Sequence, residues 1–211
     1  MKDIHSLLED WRDAIRRDDS WLRRQEPLHQ LLESLPPAIA LEVARRCLLD
    51  FVPYFERNTS GVTWVREFLS QPTLFGQAKP KKPANFAEEE DRYAFPGAGN
   101  FINAIEEFWI ALGDVSLQLI AEQVAAALSS VVMAEFIVRQ ASKDPLRWLV
   151  REKMAMRAFA AREKGERDQD SHEWLSRDYS MQRKDPWWHV QMAELWLRVA
   201  DLIEEAVSVW I

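Results

Sequence analysis

One segment of this 211-residue chain carries residue types that could bind a metal ion. Residues 168–173 read Asp-Gln-Asp-Ser-His-Glu and offer carboxylate oxygens beside one histidine. A calcium loop beginning at Asp168 would need glycine at its sixth position and glutamate at its twelfth, where the chain has Glu173 and Tyr179. A transition-metal site would need a second histidine at helical spacing. We therefore interpret the segment as a polar linker that caps the next helix.

Paired carboxylates and a single thiol are the other candidates for chemistry. Glu106 and Glu107 adjoin two aromatic residues, and a carboxylate pair in unequal environments can perform acid–base catalysis. No histidine or nucleophile accompanies them. Cys47 lies on the apolar side of a predicted helix, where a cysteine behaves as a small hydrophobe. The chain also lacks P-loop, dinucleotide-binding, nucleophile-elbow and zincin motifs. We expect no cofactor and no metal, and these absences of motif favour a protein that is not an enzyme.

Composition narrows the class of protein. A hydrophobic fraction of 47 % and a charged fraction of 29 % are typical of a folded globular chain. A net charge of −7 and a pI near 5.2 disfavour nucleic acid as a partner. The single cysteine excludes an internal disulfide. The stretch 123–134 has twelve uncharged residues, whereas a spanning helix needs about 20. We expect a cytoplasmic protein with no membrane partner.

The elements that must position these residues are helices. Apolar residues recur at intervals of three and four along most of the chain, which predicts an all-α bundle of about seven or eight helices. We expect one domain over 1–211, with an N-terminal helical half at 1–70 and a C-terminal one at 101–211. Residues 71–100 contain four prolines and three glycines, and this predicts a long, mobile, irregular loop.

Prolines and aspartates predict several helix boundaries. Helices should begin at Pro36-Pro37, Asp144-Pro145 and Asp185-Pro186, because proline suits the first turn and aspartate suits the N-cap. Pro27 should interrupt the helix before it. Asp114 should cap the longest helix, predicted over 115–142, which is apolar on nearly every side and therefore central.

Residues 145–168 form the only basic block, with seven basic side chains against four acidic ones. The spacing predicts that Trp148, Leu149, Met156 and Phe159 form the core face of this helix. The segments on either side are acidic, so we expect the basic side chains to pair with them inside the bundle.

The segment 44–56 reads Ala-Arg-Arg-Cys-Leu-Leu-Asp-Phe-Val-Pro-Tyr-Phe-Glu. It resembles a signature of small all-helical bacterial proteins described as putative immunity proteins of polymorphic toxin systems. A later alanine-rich helix, 121–134, is similar as well. The resemblance covers about a third of the chain, and it departs after Glu56, where the family has an Asp/Arg/Pro cluster. It implies a binder that neutralises a toxin without chemistry of its own.

The favoured hypothesis is a non-catalytic protein-binding module of a bacterial interaction or defence system, with a toxin-neutralising immunity protein as its narrower form. An acidic chain suits a basic toxin or a complex subunit as partner, because complementary charge speeds association. Tryptophan is enriched at interface hot spots, and the chain has ten. The predicted partner-binding residues are Glu88, Glu89, Glu90 and Asp91, with Trp187, Trp188 and Trp210. The alternatives are an enzyme or a small-molecule- or metal-binding protein with an inter-helix pocket, and an obligate subunit of a larger complex. The oligomeric state does not follow from the sequence.

Overall fold

The computed structural model describes residues 3–17, 21–59, 62–71, 95–114 and 116–210, apart from the side chains of 21–25, 163, 182 and 210. These residues form helices and no strand, so the predicted all-α class is confirmed. The nine described helices are α1 (Ile4–Arg16), α2 (Trp21–Ser34), α3 (Pro37–Asn58), α4 (Trp64–Leu69), α5 (Ala98–Ala111), α6 (Leu117–Lys143), α7 (Pro145–Glu163), α8 (Gln169–Gln182) and α9 (Pro186–Trp210).

The long helix α6 is central, as its apolar character predicts. It contacts α2, α3, α5, α7 and α9, and its small residues Ala121, Ala125 and Ala134 are buried against these neighbours. Its length and composition would also allow it to cross a bilayer, but the core helix of a water-soluble protein has the same features. The localisation therefore stays a prediction.

Aromatic side chains fill the gaps between the helices. Trp11 of α1 meets Trp196 of α9 edge to face, with their ring centroids 5.9 Å apart. Phe101 of α5 lies against Phe51 and Phe55 of α3, with centroid distances of 4.6 and 5.2 Å. Every tryptophan whose side chain is described is buried or half-buried. The high tryptophan content therefore serves the core in this part of the chain.

The proline-led helix starts are confirmed. Helix α3 has proline at its first position, and α7 and α9 begin directly after Asp144 and Asp185. The Asp144 carboxylate accepts a hydrogen bond from the backbone N–H of Arg147 at 3.0 Å, and the Asp185 carboxylate accepts one from Trp187 at 2.9 Å. These are the side-chain caps that aspartate supplies at a helix N-terminus.

Three predicted boundaries are wrong. Pro27 lies inside α2, which continues because the following residues Leu28, Leu31 and Leu32 are buried, and their packing outweighs the lost hydrogen bond. The cap of α6 is Ser116 rather than Asp114. Residues 98–100 belong to α5 rather than to an irregular loop, and 72–94 lie outside the described residues.

Gly97 makes the joint at which α5 begins against α6. Its φ of +83° lies in the left-handed region that glycine adopts at low cost. A Cβ placed there would lie 2.5 Å from the backbone oxygen of Ala134. The absence of a side chain therefore allows the start of α5 to approach the backbone of the central helix.

Candidate functional site

Helices α7 and α8 form a hairpin at one end of the bundle. Gly165, with φ +70°, follows the end of α7, and the side chain of Asp168 caps α8 by accepting from the backbone N–H of Ser171 at 3.2 Å. The segment 168–173 thus caps a helix, as predicted, and from Gln169 onward it is itself part of α8. Helix α7 contacts mainly α8 and the end of α6, so much of its surface faces solvent.

Two arginines on the inward side of α7 bond to the neighbouring helices. Arg147 Nε donates to the Asp178 carboxylate at 2.7 Å, and Asp178 is only 3 % exposed. Arg151 donates to the Gln140 side chain at 2.9 Å, and burial lowers the pKa of this guanidinium. The two arginines therefore point toward α8 and α6 and fix the rotation of α7 about its own axis.

That rotation leaves an apolar surface on the other side of the helix. The exposed fractions are 76 % for Leu146, 58 % for Leu149, 42 % for Val150, 65 % for Met156 and 50 % for Phe159. At 100° per residue these five side chains fall within one half of the helix circumference, and they extend over about 20 Å. We call these five residues the outer face of α7.

The prediction that Leu149, Met156 and Phe159 belong to a core face is therefore wrong, and Trp148 is only half-buried. Among the described side chains of α7, the buried one is Ala158. Apolar residues occur around most of this helix, so periodicity alone could not decide which set faces inward. The arginines that reach Asp178 and Gln140 decide it.

Basic side chains accompany the outer face. Lys153 and Arg157 fall between Leu149 and Val150 around the helix circumference, and both are exposed. Arg157 also forms an ion pair with Asp168 at 3.1 Å, whereas Lys153 forms none with a described side chain. The pairing predicted between the basic block and its acidic neighbours is thus confirmed for Arg147, whose partner Asp178 lies in the following segment, whereas Arg157 pairs with Asp168 inside the block.

The charge of the chain is divided unevenly. Residues 145–184 hold ten basic and seven acidic side chains, a net +3, so the rest of the chain carries −10. In the acidic part, Arg12 of α1 bonds Asp201 and Glu204 of α9 at 2.8 and 2.7 Å. The protein therefore has an acidic body and a mildly basic hairpin.

The predicted partner-binding residues fall in different places. Glu88, Glu89, Glu90 and Asp91 lie outside the described residues, as does the side chain of Trp210. Trp188 is 9 % exposed and stacks edge to face on Phe136, so it is not a solvent-facing tryptophan. Trp187 is half-buried. The partner-binding role of these residues stays a prediction.

Trp187 lines a small cleft between the end of α6 and the start of α9. The ammonium nitrogen of Lys143 lies 4.2 Å from the centroid of its ring and also pairs with Asp185 at 2.9 Å. The cleft has a volume of about 60 Å³. It can hold one or two waters but is far smaller than the 300–1,000 Å³ typical of ligand pockets.

The candidates for catalysis are not brought together. Glu106 and Glu107 are both half-buried, and burial together with the charge of Glu106 raises the pKa of Glu107. Cys47 is 1 % exposed, and burial raises the pKa of its thiol to about 12. Among the described residues, no group of three or more His, Cys, Asp or Glu side chains could hold a metal ion.

Comparison of the chain with protein-family models, curated proteins and solved structures gives no match. The resemblance of residues 44–56 to putative immunity proteins therefore rests on that segment and the alanine-rich helix. Within that segment, Cys47 and Phe55 are core residues, and Glu56 forms a two-pronged ion pair with Arg66 at 2.7 Å. Each of these residues thus has a structural role in the folded chain.

Proposed function

We propose that this protein is a non-catalytic protein-binding module whose partner docks on the outer face of α7. The observation that carries the proposal is the exposure of five large apolar side chains on one half of one helix. Contiguous apolar patches on soluble proteins mark interaction sites more often than scattered apolar residues do. Large apolar side chains presented along one helix also suit docking by another protein surface.

The placement of this module in a bacterial interaction or defence system rests on the resemblance of residues 44–56. A toxin-neutralising role is the narrower form of the same proposal. It requires a stoichiometric complex in which a toxin loses its activity. A net charge of −7 favours a basic toxin, and such a toxin would suit the acidic body rather than the hairpin.

The test compares two triple variants in an affinity purification from the organism that encodes the protein. Leu149→Ser, Met156→Ser and Phe159→Ser together remove the apolar character of the outer face. The matched control, Leu117→Ser, Leu119→Ser and Val209→Ser, changes three exposed apolar residues on α6 and α9. Mass spectrometry then quantifies the proteins that co-elute with each chain.

We expect one stoichiometric partner to co-elute with the wild type and the control and to be lost from the outer-face variant. Thermal unfolding of both variants must show an intact fold. A partner that both variants retain equally would exclude the outer face as its docking site. A clean preparation with nothing attached would contradict the binding-module proposal itself, and metal and metabolite screens would follow.

A further inference from the structure

The charges on and around the outer face of α7 indicate the chemistry of a partner that docks there. We infer that the outer face receives an acidic amphipathic helix: a helix with apolar side chains along one face and Asp or Glu beside them. This inference rests on the proposed function and specifies its partner class.

The first argument is charge complementarity. Lys153 and Arg157 project on the same half of the helix as the apolar side chains, where Glu152 is the one acidic side chain described, and Arg157 also pairs with Asp168. Arg162, Lys164 and Arg167 are exposed near the end of the hairpin and outnumber the exposed Glu166 there. Carboxylates on a docking partner would meet these cations, whereas a basic partner would be repelled. The net +3 of residues 145–184 extends this preference to the hairpin as a whole.

The second argument is shape. The five apolar residues stand on helical ridges over about 20 Å, which matches about four turns of a second helix. Side chains spaced by three and four residues form the ridges that pack into the grooves of another helix. A partner helix can therefore cover Leu146 to Phe159 and place its flanking carboxylates against Lys153 and Arg157.

The same positions disfavour two other occupants. A second copy docking through the same face would bring Lys153 and Arg157 near their symmetry mates, because such an interface is self-complementary, and each copy would offer only Glu152 against these two cations. An interfacial helix that lies on a lipid surface keeps its charged residues on the polar face, away from the apolar one. Here Lys153 and Arg157 lie between Leu149 and Val150, inside the apolar half.

The test uses the full chain and two synthetic fluorescent peptides of 18 residues. Both peptides carry leucine at a helical repeat of three and four, and the remaining positions are mainly Glu in one and mainly Lys in the other. Fluorescence anisotropy gives the affinity of each at about 50 mM and 500 mM NaCl. Binding of the chain to a lipid surface is measured with vesicles of phosphatidylcholine and phosphatidylglycerol in a 3:1 ratio. Analytical ultracentrifugation of the free chain measures whether it forms a dimer.

We expect the Glu peptide to bind about tenfold more tightly than the Lys peptide at low salt, and the gap to shrink at high salt as the charges are screened. Lys153→Glu with Arg157→Glu should weaken binding of the Glu peptide by about tenfold, and Lys153→Glu alone by a smaller factor. The control, Arg16→Glu with Arg17→Glu, makes the same change in net charge at the C-terminal end of α1 and should leave that affinity unchanged.

Four results would overturn the inference. Two concern the peptides: equal affinity for both, or an affinity for the Glu peptide that does not change when Lys153 and Arg157 are replaced. The other two are binding to vesicles that the outer-face serine variant abolishes, and a dimer of the free chain that dissociates in the same variant. None of these decides whether a cellular protein docks on the hairpin, which the affinity purification measures separately. A docked partner without acidic character would keep the proposed function and remove this inference.

Discussion

Replacing Asp178 with alanine should loosen the hairpin, because Asp178 is the carboxylate that holds α7 against α8. The side chain of Asp178 is 3 % exposed and that of Arg147 is 38 % exposed. Breaking a fully buried pair costs about 3–5 kcal/mol, and an exposed pair contributes about 0.2–1 kcal/mol. A pair with one buried and one half-exposed partner lies between these limits, so we expect a loss of about 2 kcal/mol.

Urea unfolding measures that loss, and hydrogen–deuterium exchange locates it. Amides of α7 and α8 should exchange faster in Asp178→Ala, while those of α3 and α5 should not, because the hairpin contacts the body mainly through α6. The double variant Arg147→Met with Asp178→Leu should recover part of the stability, since it removes both charges of the pair, while Arg151 still loses the attraction of the Asp178 carboxylate. Glu56→Ala breaks the exposed pair with Arg66 and is the control, with a much smaller expected change.

A loss of less than about 0.5 kcal/mol in Asp178→Ala, within the range of ordinary surface substitutions, would refute this role of the Arg147–Asp178 pair. A double variant less stable than Asp178→Ala alone would refute it as well. Either result would mean that apolar contacts, rather than the Arg147–Asp178 pair, set the rotation of α7.

Three further outcomes are expected. Gly97→Ala should lower the free energy of unfolding by about 2 kcal/mol through its positive φ and its contact with α6, whereas Gly99→Ala, in open space within α5, should raise it by up to about 1 kcal/mol. Cys47 should resist a thiol reagent at neutral pH until the chain unfolds, because its thiol is buried and protonated. Glu107→Gln should stabilise the fold at neutral pH, because burial and Glu106 disfavour the ionised carboxylate, and urea titrations should show the gain vanishing below about pH 4.

Each of these has a result that would contradict it. Equal stability of the two glycine variants would mean that the joint between α5 and α6 has room for a methyl group. Rapid labelling of Cys47 in the native protein would show that α3 opens readily. For Glu107, the pKa is higher in the folded chain, so stability is lost as pH rises through it. A gain in Glu107→Gln that persisted at pH 3 would point to packing instead of ionisation.

The sequence contains enough information for the helix starts that depend on local chemistry. Asp144 and Asp185 each precede a proline, and both act through their own carboxylate on the next turn, so no distant residue is needed to predict them. Pro27 shows the limit of this approach. Its local cost is plain from the sequence, but the burial that outweighs it comes from helices elsewhere in the chain.

The exposure of the outer face of α7 could not be predicted from the sequence, because it also depends on a contact with a distant residue. Leu149 and Met156 have the spacing of a core face, and only the position of Asp178, 31 residues after Arg147, turns them outward. One feature of the sequence did point to an additional surface: apolar residues occur on more sides of α7 than one neighbouring helix could cover. That pattern indicates a second covered surface but does not say which side it is on.

The junction between α6 and α7 also constrains how this surface can vary. One residue, Asp144, separates the two helices, so no flexible linker lies between the last turn of α6 and the first turn of α7. Inserting a single residue near the start of α7 would rotate everything after it by about 100° and swing the outer face toward α8. Length changes of about seven residues, close to two full turns, would nearly restore the direction. Point substitutions can therefore change the chemistry of the outer face without changing its direction. Insertions or deletions near the start of α7 preserve that direction only when they add or remove whole helical turns.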